Sequence, residues 1–159
     1  MAAHRRFREL LSGQFVVAER PQPLPGDLRI GWGVALVILI LGSSRGKRSS
    51  LQKLHFLAHL SRTEATRRQT REVFRGAKEA SALPVRVEPW VNRALAFAAG
   101  EGHVAVRDGK AAVLTEHGQA VHAALLASDI LEEERTFLAD VGRRATEAAV
   151  ERVMKMERL

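Results

Sequence analysis

Two histidines one helical turn apart are the side chains best spaced for metal chemistry. His55 and His59 stand at i, i+4 spacing, which would place both imidazoles on one helix face, where they could bind zinc. No glutamate lies between them as in zinc proteases, and no third ligand follows at a recognisable spacing. The sequence has no cysteine, which excludes thiolate metal sites and disulfides. The pattern favours helix packing or a surface position for both histidines and predicts neither a metal nor a cofactor.

A glycine-bounded basic loop is similar in outline to a phosphate-binding loop. Residues 42–47 (Gly-Ser-Ser-Arg-Gly-Lys) follow an apolar run and precede a helical pattern. One residue too few separates the glycines, and Arg48 stands where Ser or Thr would hold magnesium. We therefore interpret residues 42–50 as a flexible basic loop. Because no Ser/His/Asp or Cys/His arrangement is present either, the chain is predicted not to be an enzyme.

A helix predicted over residues 63–80 is the main candidate for contact with nucleic acid. Its basic side chains lie three and four residues apart and so share one face, opposite Val73, Phe74, Ala77 and Ala80. They are Arg67, Arg71, Arg75 and Lys78, with Arg68 at the edge. Residues 1–88 hold 16 Lys and Arg against 7 Asp and Glu, within a chain of net charge +7. This face could follow a DNA backbone, or it could be a solvated face of an Arg-rich protein.

A β-hairpin is predicted from two β-prone runs, residues 103–107 and 110–114. Asp108-Gly109 between them tolerates the positive φ angles of a type I′ turn. Arg107 and Lys110 flank this turn and are expected to face each other, although like charges opposed across strands are mildly destabilising. A phosphate contact at the hairpin tip would explain the pair, whereas two exposed charges diverging into solvent are the alternative.

Helices are predicted on both sides of the hairpin. Pro89 suits a first helical turn, and an apolar stripe follows it (Trp90, Val91, Ala94, Leu95 and Ala98) before Gly100 and Gly102. After the hairpin, Thr115 offers an N-cap to a helix whose apolar positions are Ala120, Val121, Ala124 and Leu125. Helix, hairpin and helix in this order are typical of the closing half of a winged helix-turn-helix.

The helix before the hairpin carries few side chains that could read bases. Only Asn92 and Arg93 qualify, while Ala96, Ala99 and Gly100 leave its outer surface bare. Such a smooth surface suits packing against a protein better than insertion into the major groove. Contact with DNA would then be non-specific and made elsewhere on the chain.

The first half of the domain is predicted to supply the remaining helices. Residues 31–42 are apolar on every side but too few to span a bilayer, which takes about 20 residues. Their length favours a buried helix and their Val and Ile content a strand; the helix fits the order better. Ser49 with Gln52 resembles a capping box for a second helix through Leu60.

The sequence predicts a mainly α fold with a small β-hairpin: a winged helix-turn-helix domain at residues 27–127, with appendages. Residues 1–26 are predicted to form a small amphipathic N-terminal arm and a Pro-rich linker, and residues 128–159 a long C-terminal helix. The apolar stripe of that helix is a candidate protein interface, folded back on the chain or packed on another one. Its members are Leu131, Leu138, Val141, Ala145, Val153 and Met156.

Composition predicts a cytoplasmic protein without a membrane segment. The chain has 159 residues, of which 46% are hydrophobic and 27% charged, an ordinary globular balance. Arg5, Arg6 and Arg8 give a basic start, but no continuous apolar region follows, so no secretory signal is expected.

Four segments, spread over about two thirds of the chain, resemble the middle components of bacterial three-component ABC-ATPase systems. The segments are residues 23–41, 44–57, 90–102 and 114–120, and the most distinctive are the apolar run followed by Arg45-Gly-Lys-Arg48 and the run Leu51-Gln-Lys-Leu-His55. The resemblance implies a non-catalytic winged-helix adaptor that works with an ATPase of the SMC or Rad50 type and an effector protein, in defence against phage or plasmids.

A second hypothesis is a free-standing winged-helix transcription regulator that dimerises through its C-terminal helix. The adaptor predicts at most weak, salt-sensitive binding to double-stranded DNA without sequence preference. The regulator predicts a homodimer and a preferred operator. The bare surface of the helix before the hairpin favours the adaptor.

Overall fold

The computed structural model describes residues 26–79, 81, 83 and 86–156, and within these ranges the chain is mainly helical with one small antiparallel sheet. The helices are α1 (Gly26–Ser43), α2 (Leu51–Ser61), α3 (Glu64–Phe74), α4 (Pro89–Gly100), α5 (Glu116–Leu126), α6 (Glu132–Val141) and α7 (Glu147–Met156). The strands are β1 (Arg48–Ser50), β2 (Val104–Arg107) and β3 (Ala111–Leu114). The predicted N-terminal arm, residues 1–25, lies outside the described residues.

Helix α1 is the centre of the molecule, which confirms the prediction of a helix rather than a strand. The six consecutive side chains Leu36–Leu41 are each at most 2% exposed, because α2, α4, α5 and α6 pack around them. Near its start, Trp32 lies against Trp90 of α4 with ring centroids 5.1 Å apart. Within the described ranges, no helix has both the length and the apolar character needed to cross a membrane.

The sheet has three strands in the order β1-β3-β2, one more strand than the hairpin predicted from the sequence. Strand β1 lies in the segment expected to be a flexible loop. A 3-10 turn at Arg45–Lys47 leads into it, and it pairs antiparallel with β3, with Ser50 opposite Ala111. Helix α2 starts directly after it with Ser50 as N-cap, whose hydroxyl accepts the Lys53 N–H at 3.0 Å. The cap is therefore Ser50 and not Ser49.

The hairpin turn has the predicted positive φ angles, 52° at Asp108 and 61° at Gly109. The register differs from the prediction, because Arg107 pairs with Ala111. The Lys110 N–H bonds to the Arg107 carbonyl at 3.0 Å, so Lys110 belongs to the loop and does not face Arg107 across the ladder. The like-charge opposition expected at the tip is not present.

The helices on both sides of the hairpin form as predicted. Pro89 starts α4, which buries Val91, Ala94, Leu95 and Ala98. Thr115 caps α5 by accepting the Gly118 N–H at 3.0 Å. The buried face of α5 differs, since it consists of Gly118, His122 and Leu125, whereas Ala120 and Ala124 are exposed. A Cβ on Gly118 would collide with the His103 carbonyl oxygen, so this close approach requires glycine.

Two other helices are shorter than predicted. Helix α3 ends at Phe74, because Gly76 turns the chain at a φ of 78° and the Ala77 N–H closes the end on the Glu72 carbonyl. Lys78 therefore lies beyond the helix, and Ala80 is outside the described residues. The long C-terminal helix is two helices, α6 and α7, separated by a bend at residues 142–146. Both pack into the same core as the rest of the chain, so residues 128–156 are part of one folded unit.

Candidate interaction surfaces

Two of the five members of the basic face predicted on α3, Arg67 and Arg71, lie under α6. Arg67 is 5% exposed; its guanidinium donates to the Ser61 carbonyl at 2.8 Å, bonds to Glu133 and lies 3.9 Å from Glu134. Arg71 pairs with Asp140 of α6 at 3.1 Å, and its guanidinium lies 5.7 Å from the centre of the Phe137 ring. The prediction that these arginines form an open face is wrong, because an acidic helix lies over them.

Five of the basic residues proposed for nucleic-acid contact are exposed. Arg68 and Arg75 lie on the surface of the α3 region, and Arg107 and Lys110 lie at the hairpin tip. Lys78 is the fifth, and it pairs with Glu72 at 2.7 Å. Three of these positions are in the α3 region and two are at the hairpin tip, and contact with DNA through them stays a prediction.

The apolar residues proposed as a protein interface are mostly interior. Leu138, Val141, Ala145 and Val153 are between 0% and 7% exposed and join the core, and Leu131 packs partly buried against it. The Met156 side chain is outside the described residues. The stripe is folded back on the same chain, which is one of the two arrangements left open by the sequence, and these four side chains are not available to a partner.

The outer surface of α4 is apolar and open. Phe97 is 53% exposed, and Arg93, Ala96 and Gly100 on either side of it are exposed as well. Asn92, one of the two residues that could read a base, is engaged with α2, because its Oδ1 lies 3.0 Å from His55 Nε2. We define the α4 face as Arg93, Ala96, Phe97 and Gly100. Phe97 was not among the residues predicted for this face.

His55 and His59 both form structural hydrogen bonds with Glu88. His59 Nδ1 lies 2.6 Å from the Glu88 carboxylate, and the Glu88 N–H donates to His55 Nδ1 at 3.3 Å. The same carboxylate accepts from Arg62 at 2.9 Å and from Trp90 Nε1 at 3.1 Å. In the described part of the chain, no group of three His, Asp or Glu side chains could hold a metal ion. The two imidazoles connect α2 to the start of α4.

A groove of about 1170 Å³ lies between the segment 42–53 and residues 142–147, which form the bend and the start of α7. Its cationic side chains are Arg45, Lys47, Arg48, Lys53 and Arg143, against the single carboxylate Glu147. Ser43, Ser44 and Ser50 add hydroxyls. We call this the basic groove. One wall is the basic loop singled out in the sequence, but the other wall comes from residues about a hundred positions later, and no local signal joins the two.

Several groups of the basic groove are held in place by hydrogen bonds. Lys47 Nζ donates to the Gly42 carbonyl at the end of α1 at 2.8 Å. The Glu147 carboxylate accepts from the Ser50 N–H at 3.0 Å and from the Ser50 hydroxyl at 2.6 Å. Behind the wall, burial lowers the pKa of His122, and the nearby Lys47 ammonium acts in the same direction. The imidazole therefore stays neutral near pH 7.

Comparison with known proteins identifies no relative. No family model, no curated protein and no solved structure matches the chain. The geometry of its surfaces is therefore the basis for a functional proposal, together with the order of its secondary-structure elements. The α4 face and the basic groove are the two surfaces whose chemistry is distinctive.

Proposed function

We propose that this chain is a non-catalytic winged-helix adaptor subunit of a multi-protein ATPase complex of the SMC or Rad50 type, acting in defence against phage or plasmids. The observation that carries the adaptor role is the α4 face, where a half-exposed Phe97 stands among small residues. The ATPase class and the defence role follow from the resemblance of the four sequence segments alone.

The order of elements supports a winged-helix topology. Strand β1 follows the first helix, and the hairpin β2-β3 follows α4, with β3 between β1 and β2 in the sheet. A winged helix has this order and places its recognition helix immediately before the hairpin. Helix α3 and the segment 75–88, which separate α2 from α4, are additional to that plan. On this topology, α4 takes the position of the recognition helix.

The chemistry of the α4 face suits protein contact better than base reading. A recognition helix presents hydrogen-bonding side chains to base edges. Here Phe97 and Ala96 offer apolar surface, Gly100 allows close approach, and Asn92 is engaged with His55. An exposed aromatic side chain flanked by small residues resembles the anchor of a protein interface. Arg93 is the one charged group on this face.

The C-terminal helix through which the regulator was expected to dimerise is not free in this structure. It required a long C-terminal helix with a free apolar stripe, whereas α6 and α7 bury that stripe in the chain's own core. A regulator would also need several base-reading side chains on α4, and of the two candidates there Asn92 is already engaged. The adaptor is therefore the function that the geometry supports best.

The adaptor role can be tested by co-expressing the tagged chain with the products of the adjacent genes and sizing the purified complex by light scattering. We expect a large ATPase to be retained in fixed ratio. Phe97→Asp should weaken that complex by about 30-fold or more, as expected for loss of an interface anchor. Leu126→Asp is the matched control, because Leu126 is 54% exposed on another helix and its loss should leave the complex intact.

Two outcomes would contradict the adaptor role. If the chain is recovered alone as a homodimer that retards one DNA sequence in preference to others, the adaptor proposal is wrong. Equal effects of Phe97→Asp and Leu126→Asp, in variants with unchanged circular dichroism, would show that the α4 face is not the docking surface.

A further inference from the structure

The basic groove holds more positive charge than the chain itself compensates. Arg45, Arg48 and Arg143 line it, and within the described residues none of them forms an ion pair or a side-chain hydrogen bond. All three side chains are exposed to solvent. Because these three guanidinium groups around one cavity have no anionic partner within the chain, an anion from outside the chain could bind there.

Lys53 is the group that distinguishes this groove from an ordinary solvated patch. It lines the cavity from the first turn of α2 and is only 5% exposed. Among the described residues, its ammonium forms no ion pair, although the Glu147 charge acts on it. Burial lowers the pKa of Lys53, and the Glu147 charge offsets part of that effect. The stem of Lys53 is buried, whereas its Nζ keeps contact with the solvent of the groove, where an anionic ligand could complete its coordination.

Glu147 already shows how an anion is held there. Its carboxylate accepts both the N–H and the hydroxyl of Ser50, at the N-terminus of α2 and beside the Lys53 side chain. The dipole of α2 favours negative charge at this position. A phosphate oxygen could make the same two hydrogen bonds and in addition reach the guanidinium groups that Glu147 leaves unpaired.

We propose that the basic groove is a phosphate-binding site, in which Lys53, Arg48 and Arg143 hold a phosphate group and Glu147 is the resident carboxylate that it displaces. The phosphate has two chemically equivalent sources, a nucleic-acid backbone or a free nucleotide. A nucleic-acid backbone is the favoured source, because the groove wall continues into the basic hairpin loop. The Leu51 N–H donates to the Lys110 carbonyl at 2.9 Å and so joins the two. The site does not depend on the adaptor role.

The test measures binding of a labelled mixed-sequence DNA duplex of about 20 base pairs, and competition by ATP and by pyrophosphate, as a function of salt. Lys53→Met keeps the aliphatic stem and removes the charge. We expect it to weaken binding by about tenfold, to reduce the logarithmic salt slope by about 0.9 for each phosphate that is no longer neutralised, and to leave the melting temperature unchanged or higher. Weaker binding at unchanged stability is a result that a merely structural lysine would not produce.

Two further variants keep the proposal testable if Lys53→Met folds poorly. Arg48→Ala removes an exposed groove cation and should weaken binding, whereas Arg152→Ala, an exposed arginine of α7 outside the groove, should not. Glu147→Gln removes the competing charge and should strengthen binding. If duplex DNA binds and nucleotide does not compete, the source is the nucleic-acid backbone; if ATP and pyrophosphate bind with the same dependence on Lys53 or Arg48, it is a free phosphate compound.

The proposal is overturned if neither DNA nor ATP nor pyrophosphate binds, or if Arg48→Ala and Arg152→Ala weaken binding equally. The variant Phe97→Asp distinguishes failure of the phosphate site from failure of the adaptor role. That variant should retain full phosphate binding while losing the partner protein, because Phe97 does not line the groove.

Discussion

Glu88 is a residue on which polar contacts from three other side chains converge. It is 8% exposed and stands at the N-cap position of α4, and its carboxylate accepts hydrogen bonds from His59, Arg62 and Trp90. Burial alone would raise the pKa of Glu88, but the hydrogen bonds from His59 and Arg62 outweigh it and hold the pKa below the ordinary glutamate value. The folded protein therefore favours the charged carboxylate.

A pH-dependent contribution to stability follows from this lowered pKa. Stabilisation by Glu88 is complete above the unfolded-state pKa, about 4.3, and is lost as the pH falls through the lower folded-state value. Glu88→Gln should reduce the free energy of unfolding by roughly 1 to 2 kcal/mol at pH 7, and the difference from the unsubstituted chain should shrink toward pH 3. Urea denaturation at both pH values measures it.

The matched control for that measurement is Glu79→Gln, because Glu79 is exposed. It should leave stability nearly unchanged at either pH. A deficit of Glu88→Gln that stays constant from pH 7 to pH 3 would show that shape, and not the carboxylate charge, matters at this position.

At the scale of elements, the pairing of α3 with α6 decides what the arginines of α3 do. Arg67→Met should lower the free energy of unfolding by about 2 kcal/mol, because it leaves the Ser61 carbonyl and the α6 carboxylates without their buried partner. Arg68→Met, one position along and exposed, should change it little. Chemical denaturation of both variants measures the difference. Equal stabilities would mean that the α3–α6 ion pairs contribute nothing net.

The sequence predicted those elements whose signals are local. The Asp108-Gly109 turn, the Thr115 cap and the Pro89 start each depend on neighbouring residues, and each forms as expected. Strand β1 was not predicted, because three residues carry no periodicity and their partner strand lies more than 60 positions later. The α3 face was misjudged for a similar reason. An arginine stripe has the same spacing whether it faces solvent or an acidic helix elsewhere in the chain.

The bend at residues 142–146 shows a further limit of periodicity. Leu138, Val141, Ala145 and Val153 keep a helical spacing through the bend, so the sequence predicted one continuous helix. Gly142 and the Thr146 hydroxyl, which accepts the Ala149 N–H at 3.2 Å, were the local indications of a break. This bend and the start of α7 supply Arg143 and Glu147 to the basic groove. The groove could not be predicted, since its walls meet only after the C-terminal helices fold back.

At the scale of the whole molecule, one hydrophobic core extends from Leu36 in α1 to Val153 in α7. Ion pairs also join distant parts of the sequence, because acidic residues of α6 neutralise part of the positive charge in the first half of the chain. The C-terminal helices therefore complete the fold and should not behave as an appendage.

Removal of residues 144–159 tests this directly. The truncation deletes the buried Ala145, Val150 and Val153, so we expect the free energy of unfolding to fall by about 3 kcal/mol or more. The fluorescence of Trp32 and Trp90 measures unfolding of the core. Trp32 is about 16 Å along α1 from Ser43, at 1.5 Å per residue, so the probe is distant from the truncation. Glu151→Ala, which breaks an exposed ion pair with Lys155 but keeps the helix, is the control and should leave the transition in place. A truncated chain with an unchanged tryptophan transition would instead show that α7 and the bend before it fold independently of the core.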